Sequence, residues 1–128
     1  MQIEHLALSV PDPAAGARWY VEHVGCTLIR ATAEEPYAHF LLLPGGGMTI
    51  ELFRSPDAPV PEYRRLNPFQ GHLAFRTDDI DGARARLLAA GAIGEGEPAT
   101  APNGDRYAML RDPWGVPLQL VRRVEDLF

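Results

Sequence analysis

Apolar and polar residues alternate from Ile3 to Val10, and Pro11 ends the run, so the pattern predicts a strand. Asp12 suits a helix N-cap, and Pro13 suits the first helical position, where a missing N–H costs nothing. Ala17, Tyr20, Val21 and Val24 follow at helical spacing, and Gly25 suits a left-handed cap. A helix is therefore predicted to about Val24. Three more strands are predicted over Thr27–Ala31, Tyr37–Leu43 and Met48–Phe53. Pro44-Gly45-Gly46-Gly47 joins the last two, its glycines permitting positive φ. The unit reads βαβββ.

The same order recurs. A strand is predicted from Gly71 to Thr77, Asp79 caps a helix over about Ile80–Ala90, and Gly91 closes it. Strands near Glu97–Thr100, Arg106–Arg111 and Val116–Arg122 follow, with turns at Asn103-Gly104 and Pro113-Trp114-Gly115. Laid over one another, the halves match at His5/His72, Leu6/Leu73, Ala7/Ala74 and Asp12/Asp79. The strand MTIELF, Met48 to Phe53, falls over VPLQLV, Val116 to Val121, and pairs Glu51 with Gln119 at the same spacing to within one residue. The expected organisation is one domain over 1–128: module 1 over about 1–54, a proline-rich linker over about 55–69, and module 2 over about 70–123. The expected fold class is α+β, two βαβββ modules forming a curved, half-open eight-stranded barrel.

Composition narrows the chemistry. The chain has 128 residues and a net charge of −5, which argues against nucleic acid or an anionic membrane surface as partner. All 12 basic residues are Arg, so neither a Schiff-base lysine nor a P-loop lysine exists. The single cysteine, Cys26, permits no intrachain disulfide and no cysteine zinc cluster. No apolar run approaches the roughly 18 residues that span a bilayer. The N-terminus reads as a strand rather than a signal peptide, and the expected location is the cytoplasm.

Strand parity selects four polar residues. His5 shares a face with Ile3, Ala7 and Ser9, whereas Leu6, Leu8 and Val10 form the greasier face expected to meet the helices. Glu51 and Gln119 are flanked by Ile50, Leu52, Leu118 and Leu120. With the modules related by a pseudo-two-fold, His5, Glu51, His72 and Gln119 are expected to meet on one concave surface. Two imidazoles, a carboxylate and a carboxamide suit Zn, Ni, Co, Fe or Mn better than Ca or Mg.

The duplicated unit, His-Leu-Ala-Leu-Ser-Val-Pro-Asp with its following helix, Gly71-His72-Leu73-Ala74-Phe75, and Arg111-Asp112-Pro113-Trp114-Gly115 before Leu-Gln-Leu resemble the vicinal oxygen chelate superfamily. That superfamily includes glyoxalase I, methylmalonyl-CoA epimerase, extradiol dioxygenases, and fosfomycin- and bleomycin-resistance proteins. The resemblance covers nearly the whole chain and implies metal ligands at His5, Glu51, His72 and Gln119. Length and spacing are most similar to bacterial glyoxalase I, which implies a divalent metal, a small carbonyl or thioester substrate, and glutathione or another thiol as cosubstrate. The metal would act as a Lewis acid on two vicinal oxygens and stabilise an enediolate. Bacterial glyoxalase I usually has Glu where this chain has Gln119. The epimerase order is His, Gln, then His, Glu, so here the carboxylate arrives from the other module. In extradiol enzymes it comes from the last strand, and bleomycin-binding proteins generally lack the metal set. Members are often dimers, and open sheet edges also favour a homodimer.

Within this reading Glu51 is the expected general base, since Gln119 is not basic and both His lone pairs are committed. His39 is expected to reach the cup and contact substrate. Arg30, Arg54, Arg106 and Arg111 are each candidates to clamp a carboxylate or phosphate, and Arg106 is taken as the substrate-binding one. Cys26 is expected to be a small buried residue.

Overall fold

The structure, a computed structural model, describes residues 1–127. The described residues form two compact units, 1–61 and 62–127, each with one four-stranded sheet. Unit 1 runs β1 (His5–Ser9), α1 (Pro13–Trp19), β2 (Thr27–Ala31), β3 (His39–Leu42) and β4 (Thr49–Phe53). Unit 2 runs β5 (Leu73–Arg76), α2 (Ile80–Ala89), β6 (Ile93–Thr100), β7 (Arg106–Arg111) and β8 (Pro117–Arg122). The fold is α+β, and each unit is βαβββ as the pattern predicts. Among the described residues no helix is long and apolar enough to cross a membrane.

Both sheets have one topology, β1-β4-β3-β2 and β5-β8-β7-β6. The first strand pairs parallel with the last, and the remaining pairs are antiparallel. A parallel pair needs a long crossover, and here the helix and two strands supply it. In unit 1 the helix side of the sheet carries Leu41, Ile50 and Leu52, all fully buried. A Cβ on Gly16 would lie 3.0 Å from Leu52 Cδ1, so the missing side chain lets α1 settle onto β4. In unit 2 Leu110, Leu118 and Leu120 are buried, as are Ile80 and Leu87 of α2.

Asp12 and Asp79 cap their helices, accepting from Ala15 N at 2.9 Å and Gly82 N at 2.8 Å. Several boundaries differ from expectation. The first helix is α only to Trp19; Tyr20–Val24 widens into a π turn that ends on Gly25 at φ 87°. Leu6, expected to face the helix, is 39% exposed, because β1 is the outer strand and α1 lies over β3 and β4. β6 begins at Ile93 rather than Glu97. Gly94 and Gly96 hide its alternation, and its pairing with β7 shifts register between Glu95 and Ala99.

The second half of the proline-rich connection is fastened to unit 2. Buried Arg111 donates from Nη1 to Tyr63 O (2.7 Å) and Gly115 O (3.2 Å), and from Nη2 to Leu66 O (2.8 Å), while Nε pairs with Glu95. The adjoining turn is closed by Asp112, 1% exposed, whose Oδ1 accepts from Trp114 N and Val116 N, both at 2.9 Å. Asp112→Ala strands two N–H groups and should lower unfolding free energy by about 3 kcal/mol in urea titrations. Glu62→Ala, which breaks only the exposed pair with Arg65, should stay within about 0.5 kcal/mol of wild type.

Candidate functional site

In unit 1, parallel register pairs His5 with Thr49 and Ala7 with Glu51. His5 and Glu51 therefore share the sheet face opposite α1, on a diagonal, with small Ala7 beside the carboxylate. His5 Nε2 lies 3.3 Å from Glu51 Oε2. His5 Nδ1 donates to the Glu4 carboxylate, which leaves Nε2 as the nitrogen turned to Glu51. The ring of Phe40 meets His5 edge-on at 5.7 Å. Glu4's hydrogen bond, with the charges of Glu4 and Glu51, raises the His5 pKa above its usual value, and burial opposes the rise. These negative surroundings favour a cation at Nε2, whether a proton or a metal. A cleft of about 420 Å³ opens there, lined by Glu4, His5, Ile29, Arg30, Phe40 and Thr49.

In unit 2, Ala74 pairs with Gln119, and Gln119 with Met109. Extending the alternation of β5 by one residue puts His72 on the side of Ala74 and Gln119. His72 Nδ1 donates to Pro68 O at 2.8 Å, which fixes its tautomer and leaves the lone pair on Nε2. Gln119 Nε2 lies against Met109 Sδ at 3.5 Å, leaving the amide oxygen as the end able to meet a cation. Each unit thus offers one imidazole Nε2 and one side-chain oxygen, a donor set that fits a borderline divalent metal. Among the described residues no group of three or more His, Cys, Asp or Glu side chains is arranged to hold a metal ion by itself.

The two expected substrate contacts lie elsewhere. His39 pairs with Leu52, so it sits on the helix face, away from Glu51, with Nδ1 on Tyr37 O at 2.7 Å. Arg106 also falls on the helix face of its sheet, where it grips Asp81 of α2 through two bonds of 3.0 and 3.1 Å. Arg111, another candidate clamp from sequence, is buried. Burial pushes the Cys26 thiol up to about 11, so it is no nucleophile at neutral pH. Sequence reading passes over Glu4 and Phe40. The signal for Glu4 is its place directly before a candidate ligand; Phe40 emerges only from its register with Glu51.

Comparison with known proteins agrees with this frame. The chain is 31% identical to the ethylmalonyl-CoA/methylmalonyl-CoA epimerase of Cereibacter sphaeroides, over 85% of this chain and 87% of that protein. It is 29% identical to a probable lactoylglutathione lyase of Vibrio cholerae, over 94% and 90%. A glyoxalase family protein from Bacillus cereus superposes with TM-score 0.80 at 20% identity, covering 98% of this chain and 95% of the other. TnmS3, an antibiotic binding protein from Streptomyces sp. CB03234, gives TM-score 0.66 at 30% identity, covering 95% and 98%. Residues 2–120 match the Glyoxalase/Bleomycin resistance protein/Dioxygenase superfamily, and the chain belongs to it.

Proposed function

We propose that the chain is a metal-dependent lyase or isomerase of small carbonyl or thioester compounds, glyoxalase I-like in chemistry. The observation that carries this reading is the 3.3 Å approach of His5 Nε2 to Glu51 Oε2 on one open sheet face. His5, Glu51, His72 and Gln119 are the proposed metal ligands. When bound, a divalent ion such as Zn, Ni, Co, Fe or Mn supplies Lewis-acid stabilisation of negative charge on substrate oxygens. Glu51 Oε2 takes the proton from the carbon beside the carbonyl. Its environment suits a general base. The side chain is 17% exposed and Phe40 stands beside it, so water reaches the carboxylate only in part while an oxygen stays open to a substrate proton. Glu4 and the Pro68 carbonyl orient the two imidazoles. A thiol cosubstrate such as glutathione belongs to this reading, by similarity to the lactoylglutathione lyase relative. The epimerase relative makes acyl thioesters the next substrates to try. Sequestration of a ligand without turnover is the second reading, favoured by the likeness to TnmS3. A homodimer is proposed as well, since outer strand β1 leaves Leu6 and the preceding Ile3 39% and 65% exposed.

Zinc titration should separate ligands from their supports. Glu4→Ala, which removes an orienting partner, should weaken zinc binding roughly 10–100-fold, and His5→Ala and His72→Ala should weaken it further. Equal zinc affinity in wild type and both His variants would remove the metal assignment.

Turnover of methylglyoxal–glutathione hemithioacetal, and then of methylmalonyl thioesters, tests the base. Glu51→Gln should lose about 10²-fold or more in kcat while remaining folded by circular dichroism. A fully active Glu51→Gln would show that another group accepts the proton, and a wild type that binds these compounds without converting them would favour sequestration.

Light scattering should give about twice 14.1 kDa at micromolar concentration. A mass of one chain would exclude the dimer.

A further inference from the structure

Four arginines are candidates from sequence for gripping a substrate anion, and the structure separates them. Arg106 is held by Asp81, and Arg111 is buried against Glu95 and three carbonyls. Arg54 follows β4 on the helix side and donates to Pro11 O at 3.3 Å. Arg30 alone among them stands on the face of His5 and Glu51, and it has no acidic partner among the described residues.

An irregularity of the sheet puts it there. β2 pairs Leu28 with Leu41, but the next pair is Arg30 with Phe40, so Ile29 is an extra residue in a β-bulge. Without the bulge Ile29 would oppose Phe40, and Arg30 would oppose His39 on the helix face. One inserted residue moves the guanidinium to the other side of the sheet. A row now crosses the four strands: Ala7, Glu51, Phe40, Arg30. The Arg30 guanidinium carbon lies 6.0 Å from the Phe40 ring centroid, a stacking that leaves its N–H edges for a ligand. It lines the same cleft as His5, with Ile29, Phe40 and Thr49.

Unit 2 provides a comparison within the molecule. Its equivalent row is Ala74, Gln119, Met109, Glu95. There the terminal charge is Glu95, and Arg111 neutralises it internally. In unit 1 the corresponding charge is left for something outside the fold.

We propose that Arg30 is a specificity-determining residue that binds a carboxylate on the substrate, and that the cleft takes small monocarboxylates with an apolar body, such as 2-oxo acids. It rests on the proposed function only for the word substrate. The single guanidinium can offset one negative charge, acidic Glu4 on the same rim disfavours a second, and the planar fork matches a carboxylate bidentately. Ile29 and Phe40 accommodate the apolar part. Backbone spacing sets the scale: Arg30 and Glu51 stand two strands apart, about 10 Å between backbones, within reach of opposite ends of one small molecule.

The test is an amide-shift NMR titration of the full chain, treated with chelator so that metal binding does not enter. The probes are 2-oxobutyrate, its neutral amide and inorganic phosphate, used up to millimolar concentrations against wild type, Arg30→Met and Arg30→Lys. Wild type should bind 2-oxobutyrate with shifts at Ile29, Arg30 and Phe40, about tenfold or more tightly than the amide, the scale of a charge-assisted hydrogen bond. Arg30→Met should abolish that preference, and Arg30→Lys should restore part of it. An Arg30→Met chain that keeps the preference, or a wild type that shows no carboxylate-specific shifts at these residues, would overturn the proposal. Tighter binding of phosphate than of 2-oxobutyrate would overturn the choice of carboxylate. Failure of the metal reading would appear separately, in the zinc titrations of the His5 and His72 variants.

Discussion

The parallel pairing of the first strand with the last, repeated in each unit, is the constraint on which the candidate chemistry depends. It sets Ala7 beside Glu51 and Ala74 beside Gln119. In a parallel ladder, paired residues share a face, so the histidine two positions upstream of each alanine falls on the diagonal to the proposed oxygen ligand. The alanines matter through their size. A larger side chain at Ala7 would stand against Glu51 and compete with His5 for its space. The crossover that parallel pairing demands also brings the helix to one side, which drives the polar pair to the other.

A second layer of organisation fixes the imidazoles. His5 and His72 each give Nδ1–H to an oxygen acceptor, yet the acceptors are unrelated in origin. Glu4 is the preceding residue. The Pro68 carbonyl belongs to the connection that Arg111 straps to unit 2 through Tyr63 and Leu66. A buried guanidinium with four partners is a stiff anchor, because releasing it would leave a desolvated charge. The orientation of His72 is thus tied to the Arg-Asp-Pro-Trp-Gly turn, a segment that contributes none of the proposed ligands.

The repeat, the caps and the order of elements were legible in the sequence because each rests on a local signal. Asp before Pro, Gly after the helix, and alternation bounded by turn residues each act within a few positions. What was not legible depends on register between strands. The side of the sheet that His39 occupies follows from its pairing with Leu52, and the partner of Arg106 lies on a helix 25 residues earlier in the chain. The bulge at Ile29 leaves no mark in a run of Thr-Leu-Ile-Arg-Ala, and it reverses the parity that such a run implies. The glycines of β6 misled in the opposite sense, since they read as loop while the backbone carries on as strand.

The two rows across the sheets show how a duplicated frame becomes asymmetric in chemistry. Ala-Glu-Phe-Arg in unit 1 and Ala-Gln-Met-Glu in unit 2 occupy the same register positions. In unit 2 the carboxamide rests on a thioether, and the glutamate is cancelled by a buried arginine, so the row presents little charge. In unit 1 the carboxylate faces an imidazole, and the arginine stacks on a ring with no acidic partner in ion-pair contact among the described residues. In the proposed chemistry Glu51 accepts a proton, which a direct guanidinium partner would oppose by favouring the ionised carboxylate. Placing Phe40 between Glu51 and Arg30 keeps the two apart while leaving both on one face. On the proposed reading, the same separation offers one end of a small molecule to Arg30 and the other to Glu51.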